Sequence, residues 1–538
     1  MVFRATQQTV QVTNAPAFVG GINSYAPLAN MPSTDVLYTY NLVAKEAGMA
    51  VRDGTIEWAN SLTGQGVKTI MPFVSADTSS SSDRLFGVTD EGIYDITTQG
   101  DTSPTQDVAW GDVSPESGEC SYINFTNDAG SFLLVADEEN GYRYYSDAGG
   151  WVTPNVTYDP DTGPIVDIED DIAFVTVWKQ RVWLVARNSA YAYYLEIGAI
   201  AGAATRINFG NRLSYGGNLV GLYNWTVDGG IGIDDHLVVV GSEGDCLVYK
   251  GTNPNDDLNL VGSYYIGPTP YGRRIALSYG GDLLILTTQG LISVTSLLRG
   301  AMFTDAESEA SGKVSRIIRD LMSTRASLFG WSLMQFPDSD TVCISIPPCN
   351  QSGCWTQLVM DTGTNAWSYW RDIPMLSAAT WKKKVIVGYD SERVFFMSGD
   401  DDDVRLDGTG NVPIEFSLLS SFQSLGAPGM TKRIEMMRPT WQGIGTPIIE
   451  MKAVYDYDFN ELQVPLGSPG ASGAGVWQPD AEVGEWDLSV WGGSISTSSS
   501  YLGSAGMGRM VAIAIRGRST GKTNLVDINV FWNQGGMM

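Results

Sequence analysis

Acid–base or nucleophilic chemistry in this chain has a single imidazole to draw on, His236, which follows Asp234 and Asp235 at the start of the apolar run Leu237-Val238-Val239-Val240. Serine or cysteine catalysis needs a nucleophile held against such a base. No G-x-S-x-G elbow accompanies it, so His236 reads as an ordinary residue at a turn. Cys343, Cys349 and Cys354 lie close together, whereas Cys120 and Cys246 are isolated. A zinc site would need a fourth ligand and usually shows pairs such as C-x-x-C. The three clustered cysteines therefore read as free thiols, with room for one local disulfide.

Arg516-Gly517-Arg518-Ser519-Thr520-Gly521-Lys522-Thr523 ends like a phosphate-binding loop, but Arg516 stands where that loop requires its first glycine. Apolar runs flank it on both sides and no helical pattern follows, so a hairpin turn containing Gly521 is expected. Asp361-Thr362-Gly363-Thr364-Asn365-Ala366-Trp367 resembles the aspartate boxes of sialidase-like propellers, which are structural turns with an aromatic packed beneath. Asp159, Asp161, Asp167, Glu169, Asp170 and Asp171 depart from the spacing of a twelve-residue calcium loop and read as an exposed acidic segment. No catalytic, cofactor-binding or metal-ligating residue is assigned from these patterns.

The elements that would position any such residue are β-strands. A hairpin signature recurs roughly every 43 to 59 residues between about Leu85 and Met397, the spacing of propeller blades or arrays. Its copies are Leu85–Val88 with Gly92–Tyr94, Leu133–Ala136 with Gly141–Tyr144, Val182–Val185 with Tyr191–Tyr193, Leu237–Val240 with Val248–Tyr249, Leu283–Leu286 with Gly290–Ile292, and Val385–Gly388 with Val394–Phe396. A divergent seventh lies around Val342–Ser345 and Leu358–Met360. One hairpin cannot bury its own apolar face, so the copies must stack on one another. An all-β fold is expected, a propeller of six or seven blades that need not be regular.

Composition agrees. The chain has 538 residues, too many for one core, with 61 glycines and 23 prolines spread along it. Sixty acidic against 33 basic side chains give a net charge of −27, which argues against gripping nucleic acid and is compatible with nucleic acid sliding past. No run approaches 18 uncharged apolar residues and the first residues lack the apolar core of a signal peptide, so a soluble chain made in the cytoplasm is expected.

Three regions are expected: an N-terminal arm over 1–55 that pairs with a distant β domain, the propeller over 56–400, and a C-terminal β-sandwich or barrel over 401–538. The boundary is marked by Asp400-Asp401-Asp402-Asp403, and a Gly/Ser-rich loop from Leu466 to Val476 and a strand near Trp486 to Trp491 fall in the last region. One short inserted helix is expected after Ser311, with Val314, Ile317, Ile318, Leu321 and Met322 on its apolar face and Arg316 and Arg319 outward. It would cover a sheet edge or meet a neighbouring subunit.

The leader carries a resemblance. Gly20-Gly21-Ile22-Asn23, Pro27-Leu28, Met31-Pro32, Asn41, Gly48-Met49-Ala50-Val51-Arg52 and Gly54 resemble the opening of tail nozzle (tail tubular protein B-like) proteins of short-tailed bacteriophages. Asp228–Gly241, Gly262–Ile292, Val314–Met322 and Ile344–Pro347 are similar to later parts of that family in the same order, so the likeness covers most of residues 1–400. It implies a virion structural protein and not an enzyme, forming a hexameric channel at the tail that holds and then conducts genomic DNA without binding it specifically. The implied partners are copies of itself, the head-to-tail adaptor ring, tail fibres or spikes, and the bacterial envelope at ejection. No cofactor comes with it. The alternative is a carbohydrate-binding or glycan-cleaving propeller that recognises a receptor.

Overall fold

The structure, a computed structural model, describes residues 10–76, 82–158, 171–228, 233–300, 311–336, 340–348, 355–398, 412–443, 447–458, 496–519 and 521–535. The acidic segment Asp159–Asp170, Cys349, Cys354, Asp400–Asp403, the Gly/Ser-rich loop and the strand near Trp486 lie outside them.

Six small sheets stand in a ring as a six-bladed β-propeller. Each repeat seen in the sequence is the middle hairpin of one unit, because the second and third strands are packed on both faces and so carry near-continuous apolar runs. Leu85–Val88 and Gly92–Tyr94, for instance, lie within Arg84–Val88 and Gly92–Asp95 of blade 1. Blade 1 starts at Thr69–Phe73, blade 2 at Cys120–Asn127, blade 3 at Ile172–Trp178, blade 4 at Leu219–Asp228, blade 5 at Ala276–Tyr279 and blade 6 at Met375–Trp381. Among the described residues blade 5 has three strands.

The divergent seventh copy is the middle hairpin of Ser332–Phe336, Thr341–Ile346, Thr356–Asp361 and Ala366–Arg371. These strands fill the ring between blades 5 and 6, their first strand lying against the first strand of each neighbour. They do not end there. Through Asp35–Tyr40 of the leader the sheet continues into Ile414–Ser420, Val511–Ser519 and Ile448–Tyr455, nine strands in all with Gly21–Ile22 beside Asp35–Tyr40.

A second sheet packs on this extension. Thr523–Gln534 is flanked by Lys432–Gly443 on one side and on the other by two leader strands, Gln11–Pro16 and Gly48–Val51. Leu42, Met49, Ile528, Val530 and Trp532 of one sheet share a buried core with Val36, Phe416, Leu418, Ile513 and Ile515 of the other. The sandwich expected at the C-terminus is thus built jointly with the leader, and it shares a continuous sheet with the ring. The expected propeller start at residue 56 falls inside Gly54–Ala59, which is the fourth strand of blade 6.

Two expectations of local structure are corrected. The inserted helix spans Ser315–Arg325, but Ser311 does not cap it: its hydroxyl accepts from the Leu291 N–H, and Val314 stands at the N-cap without a side-chain bond. The start is delayed because Lys313 is committed to the leader, its carbonyl accepting from the Ser24 N–H and its ammonium reaching the Gly20 carbonyl and Asp35. A second short helix, Val294–Leu298, was not foreseen. Arg516–Thr523 is also no hairpin. Val511–Ser519 and Thr523–Gln534 belong to different sheets, since each is already flanked on both sides by other strands, and the turn carries the chain across the sandwich.

Asn41 joins the three regions. Its backbone sits at φ 58°, a left-handed conformation that Asn tolerates better than most residues. Its side-chain NH2 donates to the Glu415 carbonyl (2.8 Å), and its oxygen accepts from the Arg371 N–H (2.8 Å) and Arg52 Nε (3.2 Å). Replacing Asn41 by Ala strips partners from buried groups and should cost roughly 3 kcal/mol of unfolding free energy in urea titration. A loss under about 0.5 kcal/mol, the level of an ordinary surface change, would refute this role.

Candidate functional site at the mouth of the propeller axis

The first strands of all the units line an axial cavity of about 370 Å³, with Ile70, Ser121, Val175, Tyr223, Gln335 and Ala379 among its walls. Arg273 and Arg274 sit at one end of it, in the segment that leads into blade 5. Burial pushes the Tyr122 hydroxyl beside the cavity up to about 12, so it stays neutral.

Each arginine reaches across the ring. Arg273 pairs with Glu138 of blade 2 through Nε and through Nη2 at 3.0 Å, while its Nη1 donates to the Leu219 and Val220 carbonyls of blade 4. Arg274 Nη2 donates to the Lys68 carbonyl at 2.6 Å, and its Nε lies 3.5 Å from Oε1 of Glu119. The Lys68 ammonium in turn donates to the Pro115 and Ser117 carbonyls. Tyr271 Oη donates to Glu116 at 2.6 Å, and the Tyr271 N–H to the Ala326 carbonyl. The planar fork of Arg suits such a brace, because several fixed donors can engage carbonyls and a carboxylate together.

Electrostatics follow from burial. Desolvation raises Glu119 above its ordinary range, with Arg274 pulling the other way and Glu138 adding to the rise. Desolvation likewise lowers Lys68, opposed by Asp90, Asp137 and Glu119. Two clefts flank the brace: one of about 960 Å³ bordered by Lys68, Phe329, Trp355 and Arg393, and one of about 450 Å³ bordered by Glu138, Asn188, Glu243 and Thr288. The arrangement can hold blades 1, 2, 4 and 5 at a set spacing and close the axis.

Apart from Cys120, none of the residues weighed from the sequence as chemical candidates lies here, although Arg273 and Arg274 fall within the Gly262–Ile292 stretch that carries the resemblance. His236 sits in blade 4 opposite Trp225, the rings 5.3 Å apart, and neighbouring Asp235 pairs with Lys179 at 2.9 Å. Cys343 is a free thiol in an apolar cluster with Met334, Phe336 and Trp370, pushed upward by burial. Among the described residues no group of three or more His, Cys, Asp or Glu could hold a metal ion. The Asp361–Trp367 segment is the structural turn expected: the Thr364 N–H and hydroxyl both donate to Asp361 Oδ1 at 3.0 Å, Lys45 pairs with the same carboxylate, and Trp367 is buried. The axial arginines carried one sequence signal that went unread. Two adjacent charges, Arg273-Arg274, stand immediately before a strand pattern, where a solvent-exposed turn would not require them.

With this geometry the chain belongs to the class of β-propeller proteins, extended by a sandwich. No protein-family model matches it, and no curated protein does. Among solved structures it is similar to the computationally designed Ika8 protein at 8% identity, covering 64% of this chain and 96% of that one with a TM-score of 0.34. It is also similar to BBS1N from a complex with ARL6DN at 10% identity, covering 65% and 98% with a TM-score of 0.38. Raptor of Chaetomium thermophilum matches at 10% identity, over 65% of this chain and 29% of that one, with a TM-score of 0.36. Likeness at these scores carries no argument about function.

Two measurements test the brace. Arg274→Met leaves Glu119 buried without its cation and should destabilise the fold by about 3 kcal/mol, whereas adding Glu119→Gln should recover much of the loss. Independent, additive effects of the two changes would refute the coupling. The folded chain holds the Glu119 proton more tightly than the unfolded chain does. Its burial penalty is therefore absent below the ordinary value of 4.5, grows as pH rises from there toward the elevated value, and levels off above it. The stability of Glu119→Gln relative to the wild type should accordingly rise from pH 4 to 7; an unchanging difference would show that Glu119 does not titrate abnormally.

Proposed function

We propose that the chain is a tail nozzle subunit of a short-tailed bacteriophage, a structural wall segment that assembles into a hexameric channel for genomic DNA. The observation that carries this reading is where the leader residues resembling that family lie. Gly21 stands at φ 66°, where an added Cβ would come within 2.7 Å of the Trp367 backbone. Asn23 donates to Asp35 at 2.6 Å, and Gly48 approaches the Leu525 carbonyl too closely for any side chain. With Asn41 and Arg52 they form the seam between leader, ring and sandwich, so the resemblance falls on residues that a rigid three-part subunit would need.

The closed axis supports the same role. A cavity of about 370 Å³ has room for about a dozen waters at ~30 Å³ each, so no duplex threads a single propeller. The DNA conduit must then lie between copies, and a subunit with net charge −27 offers phosphates little to bind. In this reading the same surfaces and ends of the ring meet the adaptor ring, fibres or spikes and, at ejection, the bacterial envelope.

The carbohydrate reading keeps one observation, the exposed pair Tyr215 and Tyr265 with rings 4.5 Å apart. Against it, every described tryptophan except the half-buried Trp151 is buried, which leaves few platforms for stacking on sugars. Electron microscopy of the chain alone and mixed with the adaptor ring should show sixfold rings around an axial channel. A chain that stays monomeric in both settings while binding or degrading a glycan would sink the nozzle reading.

A further inference from the structure

The charge of this chain is unevenly placed around the ring. Residues 83–147, which span most of blades 1 and 2, contain 14 acidic side chains and only two basic ones, Arg84 and Arg143. Glu91, Asp107, Asp112, Asp128 and Asp147 among them are exposed. Like charges crowd there: Asp95 adds to the upward shift that desolvation imposes on Asp107.

The opposite sign gathers on blade 5. Between Ser311 and Gly330 stand Lys313, Arg316, Arg319 and Arg325 against a single acid, Asp320. The helix Ser315–Arg325 packs Ile318 and Met322 inward, in contact with Gly290–Ser293, the last described strand of blade 5. Arg316 and Arg319, one turn apart, are exposed on its outer side, and among the described residues Arg319 alone of the two donates an N–H to a neighbour, the Gln289 carbonyl. Around the ring, blade 5 is separated from blade 1 by the inserted strands and blade 6, and from blade 2 by blades 3 and 4. The basic helix and the acidic blades therefore lie across the axis from each other.

We infer that the outer face of the helix Ser315–Arg325 docks on the acidic connections of blades 1 and 2 of a second copy of this chain, head to tail. The inference rests on the ring reading above and names the surface that makes the ring. A cyclic assembly larger than a dimer uses heterologous contacts, in which two different patches of one chain meet. Chains each carrying −27 repel one another on average, so the faces that meet must be those whose signs differ. Charge placed this way selects the register of association more than it supplies affinity. Glu91 and Asp112 are suitable counterparts, exposed in the connections at the mouth end of blade 1, the end that the C-terminus of the helix also reaches.

The test uses two full-length variants, Arg316→Glu/Arg319→Glu and Glu91→Lys/Asp112→Lys, with association followed by sedimentation velocity and electron microscopy at low and high salt. Each variant alone should associate at least about tenfold more weakly than the wild type at low salt, and high salt should narrow the difference. Mixing the two should restore rings, because every interface in an alternating ring again joins opposite signs. Circular dichroism melts equal to the wild type will show that the variants fold, and combining all four changes in one chain provides a second restoration. Variants that associate as well as the wild type would overturn the interface and leave the ring reading standing. Variants that fail alone and also fail when mixed would overturn the pairing of these two faces. A wild-type chain that stays monomeric at low salt would overturn the inference too, and the ring reading would then turn on the adaptor experiment.

Discussion

Everything in this molecule depends on closing a ring whose two ends are far apart in the chain. Gly54–Ala59 pairs antiparallel with Val394–Ser398 to complete blade 6, and the Tyr389 hydroxyl donates to Thr55 across 334 residues of sequence. The length-dependent entropy of such a closure is about 5 kcal/mol, more than one hydrogen bond returns. It is offset because the same leader is held by strand pairing elsewhere, Gln11–Pro16 and Gly48–Val51 on Thr523–Gln534 and Asp35–Tyr40 on Ile414–Ser420. Leader, ring and sandwich thus stabilise one another.

The axial arginines extend that logic inward. Propeller blades touch along apolar faces, which are non-directional and tolerate sliding. Arg273 and Arg274 add directional bonds from blade 5 to its neighbour blade 4 and, across the ring, to blades 1 and 2.

Legibility in the sequence differed by element. The middle hairpins were readable to within a residue or two, because Leu133–Ala136 and its equivalents are apolar on both faces and end at turn residues. First strands were much harder to see: Ser121, Thr176 and Gln335 line the small axial cavity and break the apolar pattern. Outer strands such as Thr105–Ala109 are almost wholly exposed and have no core-facing signature. The helix was legible from its 3.6-residue spacing, yet its start was not, because Lys313 answers to leader residues nearly three hundred positions away.

What the sequence determined by itself was local and periodic: strands, their repeat, the excess of acid, and a turn at Asp361–Trp367 that closes through its own side chains. Only the tertiary structure decided where edges meet. It placed Thr523–Gln534 in a different sheet from Val511–Ser519 despite the short turn between them, and it drew Glu119, Glu138, Arg273 and Arg274 from separate segments into one brace. The reason is physical. Strand patterns report which face of a residue is buried, whereas the partner along an edge is chosen by backbone bonds that look alike for every sequence, and so only long-range packing selects among them.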